Sequence, residues 1–182
     1  MLRIQPTLAT WAFRPLPLTT LLIASLIAPA WAERDILTAD QALRQLQASG
    51  ATVSVFSRDR QNLVETELAT GPVTRQGSRN RPHYRFEQTR HATGIRETLT
   101  LDFSAPETPL SVARLLQATA SSQGYQTLYA CQGVSCGEAM GWQLLLSDLN
   151  QGSDATQSYR LLARQPLATT YREYLQLYWN QT

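Results

Sequence analysis

The chain has no lysine: all 16 of its basic residues are arginine. It has only two histidines and two cysteines among 182 residues. No apolar run reaches the roughly 20 residues that a helix needs to span a bilayer. A Gly-x-Ser-x-Gly elbow, a phosphate-cradling glycine loop, a dinucleotide fingerprint, internal repeats and low-complexity stretches are all missing. Each absence narrows the function. Without an elbow, or a nucleophile grouped with a base and an acid, hydrolase chemistry has no visible constellation. Without a glycine-rich loop there is no nucleotide site to name. Two thiols and two histidines at no ligand spacing make no metal pattern, and no cofactor is expected. The lysine gap favours planar, bidentate contacts, but arginine-biased coding gives the same composition.

What is present begins with an address. Arg3 and Arg14 are the only charges before Glu33, and Leu18 to Ala28 is apolar. Pro29 breaks that run, and Ala30-Trp31-Ala32 is an A-x-A cleavage site. This is the layout of a secretory signal peptide over residues 1–32, which leaves 33–182 as a single domain. A retained membrane anchor is the alternative, and the apolar run is short for one. Cleavage would remove two arginines and leave 14 basic against 14 acidic residues, a formally neutral chain. A global nucleic-acid footprint is therefore absent. No segment of the processed chain reads as transmembrane, and the expected location is the periplasm or outer envelope.

Ile36 to Ser49 reads as a short helix, with Thr38 and Gln41 spaced as a capping box and Gly50 as its stop. A β-rich block follows. Thr52–Ser57 is a strand, Ser57–Asn62 a polar turn, Leu63–Thr70 a second strand, and Gly71-Pro72 ends it. Gln76–Pro82 reads as a loop, His83–Thr89 as a strand, and Thr93-Gly94 as a turn. Ile95–Phe103 alternates most cleanly, with Glu97 alone breaking its apolar face. Such alternation predicts antiparallel strands with one wet face. Ser104–Thr108 is a linker, and Thr108-Pro109 opens a helix with the stripe Val112, Leu115 and Leu116, closed by Gly124. Tyr125–Ala130 is a strand. Glu138 opens another helix, with Trp142, Leu145, Leu146 and Leu149 on its buried face and Asn150–Asp154 as its stop. Thr156–Arg164 is a strand. The tail, Tyr171–Trp179, fits helix or strand, and its β-formers favour strand. The expected class is α+β: a mostly antiparallel sheet with two or three packed helices and one short disulfide loop.

That loop is Cys131-Gln132-Gly133-Val134-Ser135-Cys136-Gly137. In an exported chain such a pair is normally joined, as a structural disulfide. A redox pair is the second reading, though the spacing is not Cys-x-x-Cys and no cation sits in the loop. A metal site, needing two further ligands, is the third.

The cysteine motif, Trp142, Ser158-Tyr159-Arg160-Leu161-Leu162-Ala163-Arg164, the turn Glu67–Val73 and the late Tyr174–Tyr178 together resemble domain-of-unknown-function family 4892 of gammaproteobacterial envelope proteins. The matches keep the family's order from about Glu67 onward. The resemblance implies a periplasmic or outer-envelope protein. Where the family carries Ser-Ser-Asn after the second Cys-Gly, this chain has Glu138-Ala139-Met140. Some members continue into an OmpA-like peptidoglycan-binding domain. This sequence ends at Thr182, so that function is not carried over.

Eight arginines against four acids between Arg58 and Arg96 make one basic block. Arg75, Arg79, Arg81 and Arg85 are its candidate anion-binding residues, with Arg90 and Arg96 beyond them. Guanidinium forks suit the phosphate or carboxylate of a lipid or glycan; a solvated strand face is the bland alternative. Three hypotheses follow: a non-enzymatic envelope module that binds or supports an envelope protein, lipid or glycan; a periplasmic hydrolase whose site is not legible from spacing, with His83 or His91 as base; and an anion binder. The balance tilts away from an enzyme.

Overall fold

The structure, a computed structural model, describes residues 2–8, 38–78, 81–103, 109–146, 152–166 and 170–180. Several sequence expectations lie outside these residues: most of the leader (9–32), Arg79, the 104–108 linker with its Thr108 cap, Leu149, and the Asn150 stop.

Among the described residues, eight strands and three helices form. They are β1 (Leu2–Leu8), α1 (Ala39–Ala48), β2 (Val53–Ala69), β3 (Val73–Ser78), β4 (Arg81–Phe86), β5 (Thr89–Phe103), α2 (Pro109–Ser122), β6 (Gln126–Gln132), α3 (Ala139–Leu146), β7 (Ser158–Arg164) and β8 (Glu173–Trp179). Six strands make one antiparallel sheet in the order β2-β5-β1-β8-β7-β6. β3 and β4 form a separate hairpin. The fold is α+β with a mostly antiparallel sheet, three helices and a Cys131–Cys136 disulfide loop.

The α1 boundaries follow from chemistry local to the sequence. The Thr38 hydroxyl accepts from the Gln41 N–H while the Gln41 side chain accepts from the Thr38 N–H, a reciprocal cap. Gly50 follows the helix at φ +82°, where a side chain would be strained. Glu97, the residue that spoiled the β5 pattern, has its reason here. Its Oε2 accepts from Ala39 N–H at 3.3 Å, and Arg60 donates to its Oε1 at 3.4 Å. A carboxylate on the apolar face thus serves the positive end of α1.

The sequence places a turn at Ser57–Asn62 and another at Thr93-Gly94. The structure corrects both: β2 and β5 run through them as one long ladder. The register slips instead of turning. Phe56 is an extra residue between Val55 and Ser57, and Asn62 and Leu63 together face Ile95. Two bulges bend the pair without ending it, and they leave Phe56 and Leu63 exposed, with Leu63 at φ 53°. Gln76, Gly77, Ser78, Arg81 and Pro82 likewise pair as strand rather than loop.

Core forms on both sides of the sheet. α1 and α2 cover one face through Ala42, Leu46, Val112 and Leu116, packed on Leu99, Leu101, Leu162, Leu175 and Leu177. α3 and the β3–β4 hairpin cover the other through Trp142, Leu146, Val73 and Phe86, packed on Tyr159, Leu161, Tyr174 and Tyr178. The expected wet face is therefore absent from the sheet centre: β8 is buried along its whole length, and Thr98 and Thr100 of β5 are buried too. The tail is a strand, as its β-formers suggested.

Candidate functional site

The cysteine loop joins β6 to α3, with a 3-10 turn over Gly133–Cys136. Cys131 and Cys136 are bonded, and Cys136 is fully buried. Ser135 closes the turn on itself, donating to the Gln132 carbonyl and accepting from the Gln132 N–H. Three neighbours then fix the loop. The Trp142 indole N–H donates to the Cys136 carbonyl at 2.8 Å. The buried Gln157 amide donates to the carbonyls of Gly133 and Gly137, while its own backbone carbonyl accepts from Gly133 N–H. Gly137 bridges to Val73 of the hairpin. Nothing in the sequence singled out Gln157, because a lone glutamine before a strand carries no spacing signal.

At the start of α3 the Glu138 carbonyl accepts from the Gly141 and Trp142 N–H groups. Asp154 accepts from the Ala139 N–H at 2.7 Å, and Glu138 accepts from the Tyr84 hydroxyl at 3.1 Å. Burial, and then this bond to a carboxylate, push the Tyr84 phenol above its usual range. The hairpin lies close enough that a Cβ on Gly141 would come within 2.3 Å of Val73 Cγ1 and 2.7 Å of Tyr84 Cδ1. Strand, disulfide turn, helix and hairpin thus meet around Trp142, whose ring lies 4.5 Å from Tyr159, 5.1 Å from Phe86 and 5.4 Å from Tyr178.

Gly137 is the tightest point. It sits at φ +86°, ψ −157°, and a Cβ there would fall 1.9 Å from the Val73 carbonyl oxygen. Gly137→Ala is expected to destabilise by at least about 2 kcal/mol, since that backbone region is essentially reserved for glycine. Gly50→Ala, at φ +82° with nothing within 4 Å, should cost only about 1 kcal/mol, through added backbone strain. Urea unfolding of the two variants checks the difference.

The tyrosines of this core carry a pH signature. Burial pushes Tyr178 up to about 12 and Tyr159 well above its usual value. The unfolded phenols ionise near about 10. A raised folded pKa means that the native state keeps a proton the unfolded state gives up. Stability is therefore intact below about pH 10 and falls as pH rises through about 12. Urea unfolding against pH, with phenolate absorbance as the second probe, should show this loss, and Tyr178→Phe should reduce its slope.

The arginine candidates do not form one face. Arg75 lies opposite Tyr84, on the hairpin face that also carries Val73 and Phe86. Arg81 and Arg85 lie on the other face with His83, all three exposed. Arg96 turns to Gln61, donating to its Oε1 at 2.6 Å. Of the histidines, His83 is exposed on the hairpin, and His91 pairs with Glu65 at 3.3 Å with both side chains well exposed. Neither is buried beside a carboxylate and a serine. Among the described residues no group of three or more His, Cys, Asp or Glu is placed to hold a metal ion, and no helix is long and apolar enough to cross a membrane. No protein-family model matches the chain, and no curated protein matches it.

Proposed function

We propose that this chain is an exported cell-envelope protein acting as a non-enzymatic binding or structural module, in keeping with its resemblance to envelope family 4892. The observation that carries the reading is the disulfide-closed turn at Cys131–Cys136. It is built into the core through Trp142, Gln157 and Val73, and a cross-link of this kind forms and persists in oxidising compartments. The signal-peptide layout of residues 1–32 supports the same address. The exposed, ungrouped histidines favour a binding module over a hydrolase.

Fractionation with intact-mass analysis tests the reading. The expected result is envelope-fraction protein that starts after Ala32 and has no titratable thiol. Cytosolic protein starting at Met1, or native protein with two free thiols, would overturn it. A second reading, anion binding, is favoured by the shared exposed face of Arg81, His83 and Arg85. Salt-dependent binding to anionic vesicles, lost in Arg81→Ala/Arg85→Ala, is its test.

A further inference from the structure

The six-stranded sheet is not continuous in sequence at its centre. β5 and β8 are not paired with each other; Leu2–Leu8, from the segment that reads as a leader, lies between them and pairs antiparallel with both. Every residue of β1 has a partner on β8, from Leu2 opposite Trp179 to Leu8 opposite Glu173. The β5 ladder is incomplete. It runs from Leu2 opposite Leu101 to Ile4 opposite Leu99, skips Gln5 and Pro6, and resumes at Thr7 opposite Arg96. Pro6 has no N–H to donate, and proline is rarely found in the middle of a central strand. β1 therefore fills its place with one position unsuited to it.

Removing the leader removes this strand. Two rows of backbone donors and acceptors are then uncovered in the middle of the sheet, not at its edge. Direct closure meets two obstacles. Both strands are antiparallel to β1, so they run parallel to each other and would form a parallel pair in an otherwise antiparallel sheet. The halves would also have to close by one strand spacing, about 4.8 Å. Yet the helix-side core spans both halves, packing Leu99 and Leu101 of β5 with Leu175 and Leu177 of β8.

We infer that the β5–β8 slot is a strand-acceptor site: residues 2–8 hold it in the full chain, and after processing it takes an extended segment of another exported protein, running antiparallel to both walls. The inference rests on the export reading above and deepens it by naming the binding mode, β-strand addition. The walls specify the guest. Positions 2, 4 and 6 lie in register with Leu101, Leu99, Trp179, Leu177 and Leu175, which belong to the helix-side core, and position 8 lies opposite Ile95 and Glu173. Positions 3, 5 and 7 lie in register with Thr100, Arg96, Tyr178, Gln176 and Tyr174, which offer polar groups on the face covered by α3 and the hairpin. The guest is accordingly apolar at alternate residues, polar between them, and free of proline at its middle. Leu-Arg-Ile-Gln-Pro-Thr-Leu meets the first two conditions and fails the third.

The test uses the full chain with a protease site placed within residues 9–37, cut after folding. Three labelled peptides are titrated: the Leu2–Leu8 sequence, the same with Pro6→Val, and the same with Ile4→Arg. Saturable 1:1 binding of the first is expected, either to the vacated slot or by exchange with the cut strand. The Pro6→Val peptide, which regains one backbone donor, should bind roughly threefold to tenfold tighter. The Ile4→Arg peptide, which sets a charge against the core face, should bind at least about 100-fold more weakly. Hydrogen exchange should show β5 and β8 amides gaining protection on binding. No binding, with those amides already protected in the cut protein, would mean that the sheet closes on itself and would overturn the inference. Equal binding of all three peptides would also overturn it. So would a processed chain that dimerises and refuses every peptide, which makes a second copy the occupant. The N-terminal mass of envelope-isolated protein reads processing separately, so failure of the slot and failure of the export reading are told apart.

Discussion

Trp142→Ala is expected to cost about 3–5 kcal/mol, the range for emptying a large aromatic from a core. The indole is fully buried and within stacking or tilted contact of Phe86, Tyr159 and Tyr178. Its N–H is also a partner of the Cys136 carbonyl. The alanine variant thus opens a cavity and leaves an acceptor unmet at the disulfide turn. Against a total stability of about 5–15 kcal/mol, that is a large fraction. For a chain of this size the melting temperature should fall by about 6–20 °C. Trp142→Phe separates the two parts. It keeps an aromatic ring in the cluster and loses the donor, so its cost should lie near the roughly 1–3 kcal/mol of a stranded buried acceptor. Urea unfolding of both variants measures the difference. A loss under 1 kcal/mol for the alanine variant would mean that the two-sided core described here is not the one that holds the fold.

Trp142 also shows what the sequence made readable. Its spacing with Leu145 and Leu146 marks a buried helical face, and the structure buries Trp142 and Leu146 fully or nearly so. The capping box at Thr38, the glycine stops at Gly50 and Gly124, and the strand nature of the tail were legible for the same reason: each is decided by residues within one turn or one strand. Features that failed to read depend on partners far along the chain. Whether Ser57–Asn62 turns or continues is settled by β5, which supplies a ladder long enough to absorb the extra residues as bulges. The wet face expected of an alternating strand is covered by a hairpin whose own sequence looks like surface. Glu97 looks like a flaw until α1 arrives with an unmet N–H. The arginines counted as one block divide because strand period places Arg75 opposite in facing to Arg81 and Arg85. The disulfide was legible as a pairing, whereas the way it is held, through Gln157 and Gly137 against Val73, was not.

The second large effect should appear at the far end of β7 and β8, beside the slot. Arg164 and Glu173 face each other across the two strands and are almost wholly buried, joined by an ion pair from Nε to Oε2. The further partners gather on the arginine and on Glu173 Oε2, while Glu173 Oε1 is buried with no hydrogen-bond partner among the described residues. The Tyr125 hydroxyl donates to Oε2 at 2.8 Å, and Arg164 Nη1 donates to the Gln123 carbonyl at the end of α2 at 3.0 Å. The guanidinium also lies over the Tyr125 ring, 4.7 Å from its centroid. Removing one member strands a charge in the core, so Glu173→Leu should destabilise by about 3–5 kcal/mol. The double variant Arg164→Met/Glu173→Leu removes both charges while keeping bulk, and it should recover most of that loss, since buried pairs are often replaceable by apolar residues at little net cost. Tyr125→Phe, which takes away one hydroxyl donor to a charged acceptor, should cost about 1.5–3 kcal/mol. A double-mutant cycle in urea gives the coupling directly, and a double variant no more stable than Glu173→Leu would show that the site needs the charges themselves. Glu173 lies opposite Leu8 in the β1 register, so the pair also anchors one end of the slot wall. Glu173→Leu should therefore loosen β8 amide protection near its start before the rest of the sheet opens, whereas Trp142→Ala should lower protection across the α3 side as a whole.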